Sequence, residues 1–180
     1  MKEKSISVID IVNIALMVAL IEVGKTALTF LPNIELTTFF IIMFMLFYGK
    51  KTCLVIPAFI LIEGCLYGFG LWWVMYLYAW PLLAFITWLF RKQNSVLFWS
   101  VVSSVFGLSF GYLCSIPYFF IGLASGGLKS GFTTQFTWWV AGIPWDIVHG
   151  IGNFIIMFAL YKPISQVMRR LFKNGIIDSF

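Results

Sequence analysis

Charge is what this sequence has least of. Lys, Arg, Asp and Glu make up 11% of its 180 residues, where a soluble domain carries roughly 25%. A charged, solvated surface is therefore excluded. Histidine occurs once, at position 149, and cysteine three times, with no C-x-x-C spacing. No H-E-x-x-H is present either, so the common zinc arrangements are missing, and Asp146 with His149 lacks a third metal ligand. No G-x-x-x-x-G-K-[ST] string occurs, which rules out ATP hydrolysis by that route. The sequence is also read as having no G-x-S-x-G nucleophile elbow. Cys53, Cys65 and Cys114 fall in or beside apolar runs and are expected to be small buried packing residues.

Apolar residues are abundant: 61% of the chain, with mean hydropathy +0.97. Runs long enough for a ~30 Å hydrocarbon core recur. They are continuous rather than alternating, which favours helices over a barrel. The reading is an all-α membrane protein, one bundle of six transmembrane helices over residues 1–180, in a cell membrane. Spans are drawn at about Val8–Thr29, Ile34–Tyr48, Thr52–Tyr67, Trp72–Phe90, Val96–Ala124 and Thr137–Tyr161. Pro117 is a candidate break and Pro81 a candidate bend. The N-terminal apolar run continues past any usual cleavage point, so the first helix is expected to be kept.

The net charge of +5 does not point to nucleic acid, because the basic residues sit in short clusters between spans. Lys2, Lys4, Lys50, Lys51, Arg91, Lys92, Lys162, Arg169, Arg170 and Lys173 fall on one side of the six-span arrangement, and Lys25 and Lys129 at the other. That bias places both termini in the cytoplasm. The longest outer connection, SGGLKSGFTTQF at 125–136, is read either as a mobile lid or as a plain connector. The halves do not align, so no inverted repeat is indicated.

The stretch GIPWDIVHGIGNF at 142–154 carries the densest polar signal. On a helix, Gly142, Asp146, His149 and Asn153 fall within about 60° of one another, with Trp138, Trp139 and Trp145 flanking. A charge near the bilayer centre costs ~2.5–3.5 kcal/mol or more, so this stripe must face the protein interior or a cavity. Two readings stand: a hydrogen-bonded seam that packs helices, or a ligand pocket. Trp73, Tyr76 and Trp80 share a face of the fourth span. Trp80, the deepest, is expected to wall the pocket, whereas Trp72 and Trp73 suit an interfacial belt equally well. Glu22, Lys25, Glu35 and Glu63 map to the outer half. Glu22 and Lys25 are spaced to pair, Glu63 needs either Lys25 or a ligand, and Glu35 is read as a cap on the second helix.

Ala15 and Ala19 add small-xxx-small spacing to the first span. With six spans, the alanine pair, a polar last helix and no motor of its own, the chain resembles the substrate-binding S component of an energy-coupling factor (ECF) vitamin transporter. The resemblance implies a multi-pass subunit that binds a vitamin or precursor from outside. It implies docking through Ala15 and Ala19 onto a membrane coupling protein with two cytoplasmic ATPase subunits. It places ligand contacts at Asp146, His149 and Asn153. Glu22, close to the alanine face, departs from a purely apolar docking surface. Trp80, Trp138, Trp139 and Trp145 suit a flat ring, Tyr76, Glu63 and Lys25 complete the candidate set, and no cofactor is expected. Pyrimidine, pyridine, benzimidazole and corrinoid ligands all remain open. The rivals are an intramembrane enzyme using His149 and Asp146 as base and orienting acid, and a self-contained oligomeric transporter.

Overall fold

A computed structural model describes residues 7–173. Lys2 and Lys4, counted in the charge bias, lie outside them. The described residues form helices α1 (Val8–Ala27), α2 (Thr37–Tyr48), α3 (Thr52–Tyr67), α4 (Leu71–Leu89) and α5 (Val96–Lys173), with a short 3-10 turn at Gly49–Lys51. Three stretches, Thr37–Tyr67, Leu71–Leu89 and Val96–Lys173, are long and apolar enough to cross a membrane. Helix α1, with Asp10, Glu22 and Lys25 along its length, is not among them.

Local chemistry sets the boundaries. Ser7 and Asp10 close a capping box on α1, the Ser7 hydroxyl accepting from the Asp10 N–H and the Asp10 carboxylate from the Ser7 N–H. Gly49, at φ 52°, ends α2 in a conformation that a β-carbon disfavours, and the chain reverses there. Within α5 only Gly126 and Gly127 leave helical geometry, Gly127 at φ 74°. They divide it into two limbs, 96–125 and 128–173. This corrects the expected loop at 125–136: helix resumes at once, and only the glycine pair turns the chain. Pro117 and Pro81 both lie inside continuous helix.

Helices consecutive in the chain alternate in direction, so that some packed neighbours run parallel. Asp10 pairs with Lys51 at one end and Lys25 with Glu63 at the other, so α1 and α3 run parallel. Glu35 approaches His149 while Phe47 stacks on Phe172, so α2 follows the second limb of α5. The limbs themselves are antiparallel: Gly107 faces Gly150, Gly111 faces Asp146 and Gly122 faces Gly131. The basic clusters gather at one end, where Arg169 donates to Asn94 (3.1 Å) and Arg91 covers the Trp88 ring.

The core centres on Trp80 and Trp99, with Phe59, Ile41, Ile42, Leu83 and Met157, all fully buried. The outside is apolar too: Val8, Ile11, Leu20, Leu61, Leu66, Phe85, Phe120, Ile155 and Phe158 are exposed. Such a surface is at home in hydrocarbon rather than water. Hydroxyls inside the helices bond back to carbonyls one turn earlier, as Thr87 does to Leu83 and Ser100 to Val96. Cys114 is buried as expected, but Cys53 and Cys65 are exposed, a correction explained by an exterior that is itself apolar.

A β-carbon on Gly107 would lie 2.9 Å from the Gly150 Cα. Gly107→Leu should therefore force the limbs apart, costing about 1–3 kcal/mol as overpacking does. A thermal melt in detergent checks this: the variant should melt lower than wild type, whereas Gly142→Ala, where a β-carbon meets nothing within 4 Å, should not.

Candidate functional site

Asp146, His149 and Asn153 do share one face of the second limb, and all are buried. Their partners differ. Asn153 donates its side-chain amide to Thr38 Oγ1 (3.2 Å) and to the Ser103 carbonyl (3.3 Å), while its backbone carbonyl accepts from Ser103 Oγ (3.1 Å). Those bonds tie α2 to both limbs and occupy the amide in packing. Asp146 accepts the Gly111 N–H on Oδ1 at 2.8 Å, and its Oδ2 has no partner among the described residues. His149 packs edge-on to Phe110, ring centroids 5.1 Å apart. Its Nε2 is also unpartnered among the described residues, 3.8 Å from a Glu35 oxygen and so beyond hydrogen-bond reach.

These free atoms stand beside cavities. One, of about 280 Å³, is lined by Lys25, Glu35, Tyr76, Phe110, Asp146 and His149, with the 28–34 turn over it. A second, of about 560 Å³, lies between Pro32, Asn33, Phe110, Trp138, Gly142, Trp145 and Asp146. A third, of about 510 Å³, is aromatic, with Trp72, Tyr76, Phe110, Tyr118 and Trp138. Phe110 borders all three and Asp146 borders the first two. A polar compartment thus adjoins an aromatic one at the end opposite the basic clusters.

The candidate aromatics separate into three groups. Trp138 lines two of the cavities and stacks on Tyr118 at 4.5 Å. Trp145 lines one but is largely exposed. Trp139 packs on Tyr112 and Phe136 and borders none of these cavities. Trp80, expected as a pocket wall, is instead core: Phe59, Tyr76, Phe106 and Phe110 surround it. Trp73 gives its N–H to the Ile60 carbonyl at 2.8 Å, which joins α4 to α3.

The charges also regroup. Lys25 pairs with Glu63, not with Glu22 as its spacing in α1 suggests, because Glu63 is fully buried on α3 and has no nearer cation. The ammonium also lies 5.2 Å from the Tyr67 ring and 5.5 Å from the Tyr76 ring. Glu22 sits beside the pair. Glu35, read as a helix cap, makes no backbone cap bond. It accepts from the Thr37 hydroxyl (3.2 Å) and lines the smaller cavity.

Phe110 and Gly111 were not singled out from the sequence. The signal for the glycines was present, since Gly107 and Gly111 are four apart in an apolar run, spacing that lets helices touch. The same string, GLSFG, does spell G-x-S-x-G, against the expectation that the chain has none. It lies inside helix, with Ser109 bonded to the Val105 carbonyl, and not on the strand-to-helix turn a nucleophile elbow requires. Among the described residues no cluster of three or more His, Cys, Asp or Glu is placed to hold a metal. No family model, curated protein or solved structure matches the chain.

Removing one member of a buried ion pair costs about 3–5 kcal/mol because the other charge is stranded. Lys25→Met should accordingly lower the melting temperature sharply, and adding Glu63→Gln should restore most of it. Equal destabilisation by the single and double variants would show that a stranded Glu63 charge is not the cause of the loss.

Proposed function

We propose that this chain is a membrane-embedded binding subunit for a small solute carrying a flat aromatic ring, of the S-component kind in ECF importers. One observation carries the reading: Asp146 Oδ2 and His149 Nε2, both buried and unpartnered among the described residues, beside cavities walled by Phe110, Trp138 and Tyr76. Unpartnered buried polar atoms are costly, and a ligand that bonds to them removes the cost. The adjoining aromatic walls supply stacking area.

In this reading α1 to α4 and the two limbs of α5 each cross the bilayer once, with the basic end and both termini in the cytoplasm. The three charges that set α1 apart fit a spanning role, because Asp10 and Lys25 are paired and Glu22 lies beside Lys25. The cavities then open toward the outside, under the 28–34 turn. Ala15 and Ala19 are exposed on α1 next to Ile11, Val12, Leu16 and Leu20. That face is the one for the coupling protein, whose two ATPase partners would supply the energy for uptake.

Copurification with a membrane coupling protein and two ATPases is expected; uptake by the pure chain in liposomes would refute the reading. Ala15→Trp and Ala19→Trp should leave ligand binding unchanged and abolish uptake by the assembled complex. Asp146→Asn keeps an acceptor for the Gly111 N–H while changing Oδ2. Titration calorimetry should show it binding ligand about 10–100-fold more weakly, as loss of a charged hydrogen bond predicts, with an unchanged melting temperature.

A further inference from the structure

The binding-subunit reading leaves the ligand's charge open, and the site's own charges narrow it. We propose that the ligand is a cation, its positive charge on or beside a flat heteroaromatic ring. This rests on that reading and goes beyond it.

Asp146 is 7% exposed and commits only Oδ1 to Gly111, so an unbonded carboxylate oxygen borders the two cavities it lines. Glu35 brings a second carboxylate to the smaller cavity, answered by the nearby Lys25 charge, by the Thr37 hydroxyl and by His149 at 3.8 Å. The one ammonium there, Lys25, is already held by Glu63, and Glu22 stands next to both. Four carboxylates therefore face one lysine. Lys129 does not redress the balance, because it lies exposed beyond the Gly127 turn.

An anionic ligand would meet Asp146 and Glu35 at close range in a medium that screens poorly. A neutral ligand would leave the Asp146 charge uncompensated. A cation answers both carboxylates, and it is also favoured by the ring faces of Phe110, Tyr76 and Trp138, whose quadrupoles are negative. Those same faces stack a planar ring.

The test uses the purified chain in lipid nanodiscs and calorimetric titration with small ring compounds that differ in charge. Thiamine, 1-methylnicotinamide and pyridoxamine are the cations; pyridoxine, nicotinamide and riboflavin are neutral; nicotinate and biotin are anions. The tightest binder should be a cation. Asp146→Asn should weaken that cation about tenfold or more, and Glu35→Gln should weaken it less. A neutral compound or an anion binding more tightly than every cation overturns the charge assignment and leaves the binding-subunit reading standing. Equal affinity of wild type and Asp146→Asn for the cation also overturns it. Failure of every compound to bind counts against the binding-subunit reading itself, and this inference falls with it.

Discussion

The two limbs of α5 meet through backbone rather than side chain, and the geometry of the cavities follows from that contact. With no β-carbon on Gly107 or Gly150, the limbs come close enough for the Asp146 carboxylate to reach the Gly111 N–H across the seam. The bond fixes one carboxylate oxygen and turns the other outward. Had the limbs been held apart by ordinary side chains, Asp146 would have had to find water or a cation elsewhere. A close crossing of this kind gives the membrane interior something hydrophobic burial cannot supply there, since lipid is as apolar as the side chains it would replace. The Ser103–Asn153–Thr38 bonds extend the same seam and add α2 to it.

Two of the three charges on the described part of α1 are paired within the protein. Asp10 lies against Lys51, Lys25 against Glu63, and Glu22 beside the latter pair. In water such pairs would be worth little. Away from water the balance changes, because a stranded charge is far more costly than a matched one. The asymmetry between the ends follows. At the basic end Lys50, Arg91 and Arg169 reach the surface beside the 91–94 turn, whereas at the other end acids exceed bases and converge on enclosed space.

Much of this was legible in the sequence, and the exceptions share a cause. Helix positions followed from apolar runs and glycine punctuation, and the Asp146–His149–Asn153 stripe from helical spacing. Spacing cannot say which neighbour answers each residue. Asn153 proved to be a packing residue and Glu35 a cavity residue for that reason, since Thr38, Ser103 and His149 lie far from them in sequence or on other elements. Trp80 was misplaced because depth along a helix does not distinguish a pocket wall from the core behind it. The segment 128–136 was misread because its polar and glycine-rich composition suggests a loop, yet two glycines suffice for the turn.

The Lys25–Glu63 pair has a mechanical consequence. Lys25 belongs to the helix with the exposed alanine face, borders the cavity, and is fastened to a fully buried group on α3. Sliding α1 by one helical turn, about 5.4 Å, would part the ammonium from its counter-ion and carry it away from Tyr76. The alanine face and the cavity rim therefore move as one rigid piece. A displacement of that face is thereby carried to the wall of the smaller cavity.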